Sequence, residues 1–166
     1  MNENPRERHV TWQDPMISAN AASKQSGLEF LHAMLRGEIP PPPITQLLNF
    51  RLIEAERGRA VFSLIPAEYH YNPIGAVHGG VMCTVLDSAM GCAVNSTLEA
   101  GWRYTTTELH THLIRGITYN TGELFCIGTV IHSGRRLATA EGKLVDATGK
   151  LYAHGTTSCM VFEPAG

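Results

Sequence analysis

The chain reads as an α+β domain, an antiparallel β-sheet wrapped around one long central α-helix, with an additional N-terminal helix. Three observations predict this. Val81 to Leu98 is the one long helical candidate after the N-terminal segment, and it is apolar on nearly every side. Strand-like runs lie before and after it rather than alternating with further helices. The later runs are joined by hairpin-length turns, which suit antiparallel neighbours. A helix that apolar needs a sheet over most of its surface.

The elements follow in chain order. Residues 1–22 mix charged and polar groups without periodicity and are expected to form a loosely held arm. In GLEFLHAML (27–35), Leu28, Leu31, Ala33, Met34 and Leu35 predict one amphipathic helix. Gly37 and the prolines Pro40 to Pro43 stop it, because proline lacks the N–H a helix needs, and predict a stiff extended connector. Residues 1–43 are therefore an arm, and residues 44–166 are the main domain. ITQLLNFRLIEAE and RAVFSLIP, split by Arg57-Gly58, predict two strands and a tight turn. Beyond the helix, RYTTTELHTHLI, ELFCIGTVIHS, LATAEGKLVDA and KLYAHGTTSCMVF predict four more. Turn signals at Asn120 to Gly122, Ser133-Gly134 and Thr148-Gly149 divide them.

Composition narrows the function. A chain of 166 residues, 43% of them hydrophobic, is one domain with a real core. Lys plus Arg is 13 and Asp plus Glu is 15, so the net charge of −2 argues against a nucleic-acid partner, whose binding rests on many cationic phosphate contacts. No apolar run approaches the ~18 residues of a membrane span, so no membrane insertion is expected. The polar opening, MNENPRERHVTWQDP, lacks a signal-peptide core. The cysteines at 83, 92, 126 and 159 form no C-x-x-C pair and read as small core residues, so a cytoplasmic home is expected.

The stretch NPIGAVHGGVMCTVLD (72–87) carries the chemistry. The first turn of a helix has unpaired N–H groups and a partial positive end. Gly79 and Gly80 at that end let a substrate approach the backbone, as at a site where amides stabilise charge on a carbonyl oxygen. Asp87 follows about two turns on, roughly on the same side. A carboxylate on a buried helix must be paired, protonated or at work, since desolvating it is costly. No Lys or Arg lies within one turn of it, so a partner must come from another strand or another subunit. Asn72 before Pro73 suits an Asx-turn as well as a site, and His78 suits a helix cap as well as a site. His110 and His112 share a strand face without a third ligand, so no metal is expected. Ser88 has no G-x-S-x-G elbow around it.

The pattern N-P-x-G-x-x-H-G-G-x-x-x-x-x-x-D resembles that of the HotDog-fold thioesterases, specifically the PaaI-like acyl-CoA thioesterases with an aspartate on the central helix. The likeness spans about residues 45–162 and includes the strand-final GKLYAHGT; residues 1–43 fall outside it. It implies hydrolysis of an aryl- or medium-chain acyl-CoA thioester without metal or redox cofactor, CoA being part of the substrate. By the resemblance, Asp87 is the general base or nucleophile, and the Gly79 amide polarises the carbonyl. Asn72 and His78 position the nucleophile and the leaving group, with Gly80 beside the substrate. It also implies a Ser or Thr from the strand after the helix, on the facing subunit. Thr106 is the best match by alternation, with Thr105 and Thr107 open. Gly134, Arg135 and Arg136, at a turn where amides are also available, suit the CoA phosphates. The family's sites lie between subunits, so a homodimer or homotetramer is expected. The alternative function is a non-catalytic acyl-CoA sensor of the same fold, and a HotDog dehydratase is disfavoured because its His-containing loop is not visible.

Overall fold

A computed structural model describes residues 5–164; the first four residues of the expected arm and the last two of the chain lie outside the described residues. Helices α1 (Pro15–Ala22), α2 (Gly27–Leu35) and α3 (Pro43–Leu47) precede strands β1 (Phe50–Glu56) and β2 (Arg59–Leu64). The long helix α4 (Gly79–Asn95) follows, then β3 (Arg103–Leu113), β4 (Leu124–Ser133), β5 (Leu137–Asp146) and β6 (Leu151–Phe162). The six strands form one sheet in the order β1-β2-β4-β5-β6-β3, every neighbour antiparallel. The expected α+β class is the observed one, with α4 laid across the sheet.

The sheet closes on α4 because its middle carries no side chains where the helix rests. Gly128, Gly142 and Gly155 are register partners across β4, β5 and β6. A Cβ on Gly128 would stand 2.3 Å from the Ala89 carbonyl oxygen, and one on Gly142 would stand 2.9 Å from Met90 Cγ. Around this contact Val85, Leu86, Ala89, Met90 and Val94 of α4 are wholly buried against Leu64, Leu124, Cys126 and Leu144. Gly128→Ala forces the helix off the sheet, since backbone cannot yield as a side chain does. We expect it to lower the unfolding free energy in urea by about 1–3 kcal/mol, the usual range for overpacking; an unchanged midpoint would contradict this close approach.

Three differences from the sequence reading concern the first half of the chain. Residues 15–22, expected to be loose, form α1: the Asp14 side chain accepts the Met16 N–H at 2.9 Å and Pro15 opens the helix. The segment before α1 is tied down too. Arg8 donates to the Leu47 carbonyl at 2.7 Å and lies 3.9 Å over the Tyr69 ring. Residues 44–47, expected to begin a strand, lie in α3, since Pro43, expected to end the connector, occupies a first-turn position and Asn49 turns the chain at φ 51° before β1. The predicted helix at 27–35 is α2, whose start Ser26 and Glu29 close with a capping box.

The central helix is not apolar all round. Thr84, Asp87, Ser88 and Asn95 are partly exposed and form a polar stripe along one side of it. Among the described residues no helix is long and apolar enough to cross a membrane.

Candidate active site

The entry to α4 is assembled from its own loop. His78 is the N-cap, extended at φ −61° and ψ 135°, and its Nδ1 accepts the Gly80 N–H at 2.9 Å. With Nδ1 accepting, Nε2 carries the hydrogen of the neutral ring, so exposed His78 offers a donor. The Gly79 N–H has no protein acceptor among the described residues, as befits a first-turn amide. A Cβ on Gly79 would meet only Leu113 Cδ1, at 2.6 Å, the end of a flexible, half-exposed side chain. Asn72 Oδ1 accepts the N–H groups of Ile74 at 3.1 Å and Ala76 at 3.2 Å. Asn72 is therefore a turn former, and with its oxygen engaged its Nδ2 is the group left to donate.

This loop is fastened at both ends of its turn. The Val77 N–H donates to the Ile117 carbonyl and the His78 N–H to the His70 carbonyl, both at 2.8 Å. His70 is buried, its Nδ1 accepts the Ala67 N–H at 3.1 Å, and its Nε2 has no partner among the described residues. Burial, with the Arg8 charge nearby, holds its pKa below the usual imidazole value. The unfolded chain thus takes up this proton at a higher pH than the folded one. Stability is present above pH ~6.5, the ordinary imidazole value, and falls as pH drops below it. Urea midpoints at pH 7.5 and 5.5 should differ more in the native chain than in His70→Asn; equal differences would remove His70 from the cause.

Asp87 lies half-buried in the polar stripe of α4. Its Oδ1 accepts the Thr106 hydroxyl at 2.8 Å, and Oδ2 makes no hydrogen bond among the described residues. The partner that the sequence left unnamed is thus Thr106 of the same chain. This corrects the expectation that the threonine faces Asp87 from another subunit: the first turns of β3 bring it across α4 directly. A β-bulge between Thr106 and Glu108 sets the register there. Thr105 is exposed, and Thr107 donates to the Ser158 carbonyl at 3.0 Å. A hydroxyl bonded to a carboxylate is a strong hydrogen bond. Thr106→Val should lower kcat about tenfold with KM little changed, while Thr105→Val leaves both alone; equal effects in steady-state assays would remove Thr106 from the site.

Asp87 and Thr106 open into a cavity of about 680 Å³, lined also by Ser88, Cys92, Trp102, Phe30 and Met34. Ser88 and Cys92, beside Asp87 in this lining, do not compete as nucleophiles. The Ser88 hydroxyl donates to the Thr84 carbonyl at 2.8 Å. Burial, reinforced by the Asp87 charge, pushes the Cys92 thiol up to about 12, so it stays protonated at neutral pH. A second hollow of about 580 Å³, bordered by Arg59, Glu141, Lys143 and His154, contains none of the predicted site residues.

The predicted residues fall into three groups. Asn72, His78, Gly79 and Gly80 gather at the start of α4, and Asp87 and Thr106 gather two turns along it. Gly134, Arg135 and Arg136 form the β4–β5 turn beyond the other end of the helix, where Ser133 and Thr97 hydroxyls meet at 2.9 Å. Arg135 pairs with Glu163 at 2.5 Å, both exposed, an attachment of little strength. His110 bonds Glu108 at 2.7 Å, and His112 stacks on His154 with centroids 4.9 Å apart. Among the described residues no three His, Cys, Asp or Glu gather in a metal-binding group. The cavity residues from the arm, Phe30 and Met34, were not foreseen as site residues. Their i, i+4 spacing shows a shared face but not what it faces.

Comparison with known proteins agrees with this fold. Residues 74–153, which include the helix entry, Asp87, Thr106 and the arginine turn, match the thioesterase superfamily model. A presumed esterase of Saccharolobus solfataricus is 27% identical over 118 residues, covering 71% of this chain and 82% of that one. The phenylacetic acid degradation-related protein of Ralstonia eutropha JMP134 superposes with a TM-score of 0.71 at 29% identity, over 78% of this chain and 98% of that chain. The PaaI protein of E. coli shares the fold, with a TM-score of 0.72 at 19% identity, over 84% of this chain and 95% of that chain. These likenesses support a thioester hydrolase in general. With its glycine-led helix entry, its helix aspartate and its wrapped sheet, the domain has the HotDog fold, and its residues 74–153 resemble the thioesterase superfamily.

Proposed function

We propose that the protein hydrolyses an aryl- or medium-chain acyl-CoA thioester to the free acid and CoA, without a metal or redox cofactor. The observation that carries this reading is Asp87, held through Oδ1 by Thr106 with Oδ2 unengaged, on the wall of a largely apolar cavity. Asp87 takes the proton of a water whose oxygen attacks the thioester carbon. The carbonyl oxygen becomes an oxyanion, stabilised by the Gly79 N–H and the helix's positive end. The intermediate collapses, the C–S bond breaks, and the CoA sulfur leaves with the proton. Asp87 acting instead as nucleophile is separable by experiment. Arg135, Arg136 and the Gly134 turn hold the CoA phosphates, and the Asn72 and His78 donors steady the thioester.

One distance argues that two copies of the chain build each site. Gly79 and Asp87 are eight residues apart, so their backbones are about 12 Å apart along the axis. One thioester group cannot touch both in the same chain. A dimer that sets the Gly79 end of one helix against Asp87 of the other solves this. β3 offers the means: it is an eleven-residue strand at the open edge of the sheet, able to pair with its own copy.

Hydrolysis in ¹⁸O-water tests the reaction. The acid should gain one ¹⁸O per turnover, with free CoA appearing in step. Label in Asp87 after a single turnover would identify it as the nucleophile. Recovery of every acyl-CoA intact would contradict hydrolysis and favour an acyl-CoA-binding module.

A further inference from the structure

We propose that α1 and α2 form the end wall of the acyl chamber and set the longest acyl chain the protein accepts, an inference that rests on the thioesterase reading. More than half of the residues lining the Asp87 cavity precede β1 and so lie outside the residues that match the superfamily.

Most of the lining residues of α1 and α2 fall on single helix faces. Met16, Ala19, Asn20 and Ser23 of the α1 segment recur at i, i+3, i+4 and i+7, one stripe turned to the cavity. Phe30 and Met34 of α2 are one turn apart on its cavity side, while Leu31 and Ala33 are buried. Across from them stand Asp87, Thr106 and Trp102. A thioester at Asp87 therefore has an apolar chamber beyond it whose far side is the arm. That wall lacks a protein partner of its own: Met16 is 55% exposed, although it borders the cavity. An acyl chain supplies the missing apolar contact.

The attachment of α1 suits a wall that contributes little to the core. Its one buried residue is Ser18, whose hydroxyl donates to the Pro40 carbonyl at 2.6 Å. Arg8, on the segment before it, holds the chain to α3. Substitutions on the cavity face of α1 thus change the chamber without disturbing the sheet.

Each methylene that enters the chamber should raise kcat/KM by up to about fourfold until the wall is reached. The test compares a series of straight-chain acyl-CoAs from four to fourteen carbons in the native chain, Ala19→Trp, Met16→Ala with Phe30→Ala, and Ile17→Trp. Ile17 is exposed and does not line the cavity. Ala19→Trp should lower the long-to-short ratio of kcat/KM at least tenfold, and the double variant should move the optimum to longer chains. Ile17→Trp should leave the profile where it is. Dissociation constants of unreactive alkyl-CoA thioethers, from calorimetry, provide a readout that needs no turnover. A native chain that releases no thiol overturns the thioesterase reading, while a thioether length profile that moves in Ala19→Trp still supports the wall. Profiles identical in the native chain and Ala19→Trp, or shifted equally by Ile17→Trp, overturn the inference.

Discussion

Asp87→Asn should lower kcat by about 10²–10⁴-fold, the usual contribution of a positioned general base, while an unreactive alkyl-CoA thioether binds as tightly as before. The substitution is close to isosteric and keeps an oxygen to accept the Thr106 hydroxyl, so the contact at 2.8 Å can persist. What disappears is the basic oxygen. If Asp87 served only to anchor β3 on α4, asparagine would serve nearly as well, and turnover would be largely retained. The two roles therefore predict opposite results from one variant, read by kcat for thiol release beside calorimetric binding.

The second large effect is expected from Gly79→Pro. Proline deletes the backbone N–H and nothing else essential at this place. The first position of a helix is where proline is best tolerated, and its N–H is unpaired in any case. His78 is already extended, at φ −61° and ψ 135°, as a residue before proline must be. The neighbour in the way is the terminal methyl of Leu113, at the flexible end of a half-exposed side chain. The helix should form, and kcat should fall about 10²–10³-fold, the measured scale for one oxyanion donor. A proline variant with native kcat would take the amide out of the chemistry. Mixing the two impaired chains sharpens the result. If each site takes Asp87 from one copy and Gly79 from the other, co-refolded Asp87→Asn and Gly79→Pro chains should regain about a quarter of native activity. Half of randomly paired dimers are mixed, and each mixed dimer holds one intact site. No recovery, with mixed dimers demonstrated by mass, would contradict the two-chain site.

Much of this was legible in the residues because the signals were local. Ser133-Gly134 and Thr148-Gly149 mark real hairpin turns, and the HGG run marks the start of α4 to within two residues. The spacing of Gly79 and Asp87 was visible too, but its implication required a helix of known rise. Thr105, Thr106 and Thr107 were not separable, because the bulge at this point breaks the alternation on which counting along a strand depends. Whether Thr106 meets Asp87 within a chain or across an interface is a matter of tertiary path, which periodicity does not encode. PMISANAA has almost no apolar stripe, so α1 was hidden; only Asp14 and Pro15 marked its start. ITQLL looked like a strand because five residues are too few to separate the two periods, and the decisive local features were Pro43 and the left-handed Asn49. The cavity between arm and α4 joins residues more than sixty positions apart, from Met16 to Asp87, and no single stretch announces it.

The central claim is hydrolysis of an acyl-CoA thioester, and thiol release from a panel of aryl- and medium-chain acyl-CoAs by the native chain tests it most directly. The account predicts steady release of CoA with at least one of these esters, at a rate that Asp87→Asn lowers by about 10²–10⁴-fold. Tight binding of the matching thioethers with no thiol released from any ester would contradict it.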